Sequence, residues 1–215
     1  MCGRFTQTKS RKEALEQLGG IELPPLFHRR YNIAPTQKVA IIRSSEPRRA
    51  TECIWGFRNP KSATLVINAR SETLAERPLF KELLATNRCL ILADGFYEWK
   101  DKQPYYFQTL ERKLFAFAGL WRSDRCVILT RAADPNMRGI HHRMPVIIPS
   151  SHWNHWLTPT PKVQSKVTID NLDCTFDPPS LSAHPVSRHV NKATHNDPKC
   201  IEQIPEQADL FPSGE

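Results

Sequence analysis

The chain has 215 residues, 40% hydrophobic and 24% charged, enough for one sizeable core and within the ordinary range of globular proteins. No stretch reaches the ~20 apolar residues of a membrane span, and the N-terminus lacks the apolar core of a signal peptide, so a cytoplasmic location without membrane contact is expected. Thirty Lys and Arg against 22 Asp and Glu give a formal charge of +8, an excess that favours a polyanionic partner such as nucleic acid. The six cysteines, at 2, 53, 89, 126, 174 and 200, form no Cys-x-x-Cys pair and no Cys/His spacing typical of zinc. That pattern argues against a disulfide framework or a structural metal and for a reduced compartment, and no cofactor is expected.

In chain order, the first position of interest is Cys2. Removal of Met1 would leave one residue with both a free α-amine and a free thiol, a pair suited to an aldehyde. The amine can add to the carbonyl to give an imine, as Schiff-base lysines do, and the thiolate can then close onto the imine carbon to form a five-membered thiazolidine. A Cys2 that packs as a small apolar side chain is the alternative.

Residues 10–18 are predicted to form a short helix with Ser10 as N-cap, stopped by Gly19-Gly20. His28-Arg29-Arg30-Tyr31 adds a basic, aromatic cluster, and Tyr31 to Pro35 is predicted to be an extended loop. Val39–Arg43 and Glu52–Phe57 are predicted strands on either side of a polar turn at 44–49, and Leu65–Arg70 is a buried strand with a polar end. Pro78 opens a helix to about Ala85. Strands are predicted at Arg88–Leu92, Tyr105–Gln108, Leu114–Trp121, Cys126–Thr130 and Pro145–Ile148, with short helices at Ser151–Leu157 and Pro161–Lys166. The expected fold class is α+β: a single strand-rich domain over residues 1–200, its curved, mixed sheets barrel-like, with short flanking helices and a flexible tail from 201 to 215.

Four segments carry polar residues where strand patterning calls for apolar ones: the N-terminus, Asn68-Ala69-Arg70-Ser71-Glu72, Asp94-Gly95-Phe96-Tyr97-Glu98-Trp99, and Ile140-His141-His142-Arg143-Met144-Pro145. Each adjoins an apolar strand, so all four could meet at one rim. With Tyr31-Asn32-Ile33-Ala34-Pro35-Thr36, Trp55-Gly56, Arg88-Cys89-Leu90, Thr130, Val186-Ser187 and Val190-Asn191, these segments in this order resemble the SRAP family, the SOS response-associated peptidase domain of abasic-site processing proteins.

The resemblance implies a covalent crosslink between the N-terminal cysteine and the ring-opened aldehyde of an abasic site in single-stranded DNA, with the protein acting as a monomer. It implies Cys2 as nucleophile, Asn68 as the amide that orients the amine or sugar, Glu98 as general acid/base and His141 as the group assisting ring opening. Arg4, Arg70 and Arg143 are expected to hold phosphates, joined at the DNA surface by Ser71 and Thr130, with Trp55 and Pro35 as an apolar platform for flanking bases. In one place the chain departs from the family pattern, which has Asp after the histidine; here position 142 is a second histidine. Competing readings are a thiol peptidase built on Cys2, whose one act could be removal of Met1, and a non-catalytic single-strand binding module.

Overall fold

The structure, a computed structural model, describes residues 2–25, 27–58, 64–158 and 179–205. The helix expected at 161–166 and residues 206–215 of the expected tail lie outside the described residues. The first strand, β1 (Arg4–Gln7), leads into α1 (Arg11–Leu18). A capping box starts this helix as expected: Ser10 Oγ accepts from the Glu13 backbone N–H at 3.3 Å, and Glu13 Oε2 accepts from the Ser10 N–H at 2.7 Å. Gly19, left-handed at φ 55°, ends it.

Strands β2 (Arg30–Ile33), β3 (Lys38–Arg43), β4 (Glu46–Trp55), β5 (Phe57–Arg58), β6 (Leu65–Val66) and β7 (Asn68–Arg70) follow. After a 3-10 turn at Ser71–Glu76 comes α2 (Pro78–Thr86), opened by Pro78. The chain continues through β8 (Arg88–Ala93), β9 (Gly95–Lys100), β10 (Gln103–Thr109), β11 (Phe115–Arg122) and β12 (Arg125–Ala132). Then come α3 (Pro135–Arg138), β13 (Arg143–Pro145), β14 (Ile147–Ile148), α4 (Trp153–Leu157) and β15 (Leu181–Pro185).

Strands β12, β4, β3, β8 and β11 pair in turn, and β11 pairs back to β12, closing a five-stranded ring. Strands β7 and β13 extend it on β12, with β7 and β4 parallel to β12 and β13 antiparallel. A second sheet runs in the order β15-β10-β9-β1-β2. This is the mixed, curved, barrel-like α+β architecture the sequence predicts.

Strand alternation divides the ring's side chains between two cores. Ile42, Leu90, Ala118 and Leu129 pack with Phe80 and Leu84 of α2 and Trp156 of α4. Ile41, Ile91, Phe117 and Ile128 instead meet Phe5, Phe96 and Phe107 of the second sheet. Phe5 bridges the two layers, edge-on to Trp55 at 5.2 Å and to Phe117 at 5.6 Å between ring centroids.

Several segments differ from the sequence reading. The extended loop expected at 31–35 is largely strand β2, and the expected turn at 44–49 narrows to Ser44-Ser45 because β4 begins at Glu46. Strand β9 lacks alternation because Gly95, Phe96, Tyr97 and Glu98 are all buried between neighbours on both sides, and β15 was not anticipated. Ile201–Pro205, placed in the tail by the sequence, is tied to the domain by the Val186↔Gln203 bridge and by Ile204 N–H donating to Pro185 O at 3.0 Å.

Asp94, between β8 and β9, anchors β1. Its carboxylate accepts from Thr6 Oγ1 at 2.6 Å, Thr8 Oγ1 at 2.8 Å and the Lys9 N–H at 3.1 Å. Gly95 next to it has no side chain to give: a Cβ there would lie 2.2 Å from the Tyr106 hydroxyl. These contacts hold the strand that follows Cys2.

Candidate active site beside Cys2

Cys2 is fully buried, two residues before β1. Strand β1 pairs antiparallel with β9, Arg4 opposite Tyr97, which draws Glu98 alongside residues 2 and 3. From the ring, Asn68 at the start of β7 donates Nδ2–H to the Cys2 carbonyl at 2.9 Å. Its Oδ1 is buried with no hydrogen-bond partner among the described residues, an acceptor open to a donor. His141, just before β13, places Nε2 3.9 Å from Glu98 Oε2. The four residues that the resemblance assigned to chemistry therefore converge, from both sheets, on one point.

Burial sets their protonation. It lifts the Glu98 carboxyl to about 7, leaving it able to give or take a proton near neutrality. Burial also pushes the Cys2 thiol well above its usual value, reinforced by nearby Glu98, so sulfur is held as S–H. The same desolvation lowers His141 and keeps its ring neutral. Nδ1 of His141 lies 3.0 Å from both the N–H and the carbonyl of Arg143. When that N–H donates to Nδ1, the ring proton sits on Nε2 and faces Glu98; the other tautomer donates from Nδ1 to the carbonyl. His142 is exposed and stacks on His141, centroids 4.5 Å apart. It supplies an aromatic shelf beside the His141 ring.

The residues expected at DNA divide into two groups. Strands β7, β12 and β13 align Arg70 with Thr130 and Thr130 with Pro145, so Arg70, Ser71, Thr130 and Arg143 share one edge. Arg70 is exposed there, while Thr130 and Ser71 are buried. Arg143 has its fork engaged: Nη1 and Nη2 donate to the two oxygens of Glu72 at 2.6 and 2.9 Å, and Nη2 also donates to Thr130 O at 2.7 Å.

Arg4 and Trp55 are set in the framework. Arg4 Nη1 donates to Asn32 Oδ1 and Val190 O, each at 2.8 Å, and Nη2 donates to Asn191 O at 3.2 Å. Trp55 is fully buried and donates Nε1–H to Ile67 O at 2.9 Å, so its ring presents no exposed face. Half-buried Pro35 borders a turn linked to Trp55 by the Thr36 N–H and Trp55 O at 2.8 Å. Sequence reasoning gave no role to Glu72 or Asn32, although both lie inside the matched segments. The signal for Glu72 was a carboxylate two residues past the strand end that carries Arg70.

The model of the family described as SOS response associated peptidase (SRAP) matches residues 1–193. The chain belongs to the SRAP family. It is 35% identical to abasic site processing protein YoqW of Bacillus subtilis over 94% of this chain and 99% of that one. It is 28% identical to abasic site processing protein YedK of Escherichia coli over 95% and 100%. A crystal structure of a Bacteroides thetaiotaomicron protein superposes with a TM-score of 0.76 at 21% identity, covering 94% of this chain and all of that one, a likeness of fold. The SRAP match spans Cys2, Asn68, Glu98 and His141, and exposed His142 lies at the rim of their site.

Proposed function

We propose that this SRAP protein processes abasic sites in single-stranded DNA by covalent attachment through Cys2 once Met1 is removed. The observation that carries the reading is the convergence on Cys2 of a carboxyl lifted to about 7 and an amide bonded to the Cys2 carbonyl. Its relatives YoqW and YedK bear the name abasic site processing protein.

The chemistry follows from the protonation states. The α-amine, ordinarily near 7.7–8.0, loses its proton more readily than the buried thiol, so nitrogen attacks first. Glu98 as carboxylate accepts the ammonium proton. The amine adds to C1′ of the ring-opened sugar, and Glu98 returns the proton to the departing hydroxyl, which leaves as water and forms the imine. His141 serves ring opening by donating Nε2–H toward the sugar ring oxygen. The Cys2 sulfur then adds to the imine carbon while its proton moves to the imine nitrogen, closing the thiazolidine. Asn68 Oδ1 receives an N–H of the amine and fixes its lone pair on the carbonyl carbon. Arg70 and the edge it shares with Ser71, Thr130 and Arg143 lie along the phosphate path, with Arg4, Pro35 and Trp55 supporting the strands beneath it.

A thiol peptidase is less well supported. Such a thiol needs an imidazole partner and a lowered pKa, whereas Cys2 Sγ has its hydrogen bond to Arg4 O at 3.8 Å and a raised pKa.

The aldehyde is the target, which gives a direct test. Mature protein mixed with a single-stranded oligonucleotide carrying one abasic site should give a band that survives denaturing electrophoresis. The same oligonucleotide treated beforehand with borohydride, which turns the aldehyde into an alcohol, should give none. An equal band from the reduced oligonucleotide would refute aldehyde capture.

A further inference from the structure

Between Val186 and Gln203 the chain has no strand, only 3-10 turns at Arg188–Asn191 and Pro198–Cys200. It hangs from side chains of the second sheet. Asn32 Nδ2 donates to Val190 O and Lys192 O at 3.0 Å and to His195 O at 2.8 Å. Within this segment His189 Nε2 lies 2.9 Å from Asp197 Oδ2, and Cys200 Sγ is close enough that all three ligand atoms fall within 4.8 Å of one another.

A hydrogen bond between His189 and Asp197 accounts for two of these groups. It does not account for the third. A neutral thiol is a weak hydrogen-bond donor and adds little to such a pair; Cys200 is fully buried in the cluster of Tyr97, Tyr106, Val186 and Val190, with its sulfur beside the pair and its S–H in a 3.6 Å contact with His195 O. The other atoms of the cluster are already fixed. Asp197 Oδ1 accepts from the Lys199 N–H at 2.9 Å, leaving Oδ2 toward His189. His195 stacks on the His189 ring at 3.8 Å and bonds the His189 carbonyl through Nδ1 at 2.8 Å. Such outer contacts are what orient metal ligands.

We propose that His189, Asp197 and Cys200 form a binding site for a divalent transition cation of the zinc type, with water completing the coordination. One nitrogen, one carboxylate oxygen and one sulfur suit zinc or cobalt and not magnesium or calcium, which take oxygen ligands. Tetrahedral metal–ligand bonds of about 2.0–2.3 Å set ligand atoms roughly 3.3–3.7 Å apart, so the His189 and Asp197 atoms, now 2.9 Å apart, separate slightly and the sulfur closes by up to roughly 1 Å, within reach of the partly exposed Asp197 and His189 side chains. On binding, the Cys200 thiol releases its proton to solvent, and the proton that His189 Nε2 directs at Asp197 leaves that nitrogen, for Nδ1 or for solvent, so that the Nε2 lone pair bonds the ion. The site lies outside the chemistry at Cys2. It would staple a segment otherwise held by side-chain hydrogen bonds.

The test is titration of metal-free, reduced, full-length protein with Co²⁺, reading the thiolate-to-cobalt charge-transfer absorption in the near ultraviolet, then adding Zn²⁺. The expected result is saturation at one equivalent, displacement by one equivalent of Zn²⁺, the same titration in C2S, and loss of the band in C200S and in H189A. H189A keeps the buried thiol in place, so its loss of signal with an unchanged circular dichroism spectrum separates ligand loss from unfolding. Absence of the band, its persistence in C200S, or its disappearance in C2S would overturn the proposal, the last by placing the ion beside the N-terminus.

Discussion

Cys2→Ala and Cys2→Ser are both expected to reduce the denaturation-resistant adduct on abasic single-stranded DNA to background, each leaving at most a labile imine that heat or added amine reverses. Both variants keep an α-amine after Met1 removal, so both retain the first step. Only sulfur supplies the second ring bond, and a hydroxyl closes onto an imine far less readily than a thiol does. Retention of salt-sensitive binding to undamaged strands in both variants would separate the covalent step from the phosphate contacts. A stable adduct in Cys2→Ala would place the nucleophile elsewhere. Loss of undamaged-strand binding together with the adduct would mean that Cys2 is needed to hold the site in shape.

Glu98→Gln is expected to act in opposite directions on rate and stability. The amide can neither accept the ammonium proton nor return it to the leaving hydroxyl, so adduct formation should slow about 10²–10⁴-fold near neutral pH. Stability should rise. The folded-state pKa of Glu98 lies at about 7, above the ordinary value near 4.3, because burial penalises its charge. The folded protein therefore holds this proton more tightly than the unfolded chain, and stability falls as pH climbs through the window from about 4.3 to 7. Above that window the penalty is complete, about 4 kcal/mol by linkage; below it the penalty is absent. Denaturant melts at pH 8 should thus show Glu98→Gln more stable than the parent, with the two converging toward pH 4. A variant equally active, or one destabilised at pH 8, would remove Glu98 from the proton-transfer role.

How far the sequence could be read depended on the kind of interaction. The helices at Ser10 and Pro78 were legible because their caps are local: a serine with Glu13 three residues on, and a proline at the first helical position. The ring strands were legible from apolar runs such as Arg88–Ala93. Strand β9 was not, because burial on both sides erases alternation and Glu98 interrupts the apolar pattern. The convergence of Cys2, Asn68, Glu98 and His141 followed from ordered family motifs, not from periodicity.

Contacts between residues far apart in the chain left no local trace. Asn32 gathers carbonyls 158 to 163 residues away, and the pairing of Arg143 with Glu72 spans 71. Trp55 illustrates the same limit: an aromatic beside a glycine suits an exposed platform as well as a core ring, and its burial follows from Phe5, 50 positions earlier and on the other sheet. The cluster at His189, Asp197 and Cys200 matched no standard ligand spacing because a turn, not a helix or hairpin, brings it together.

Joining of one residue to DNA through nitrogen and sulfur together is tested by intact-mass measurement of the purified protein before and after mixing with an abasic oligonucleotide. The expected result is a starting mass lacking Met1 and a product equal to protein plus oligonucleotide less one water, unchanged by borohydride because a closed thiazolidine offers no imine to reduce. A protein that retains Met1 yet still forms the product, or a product that gains two hydrogens on reduction, would contradict it.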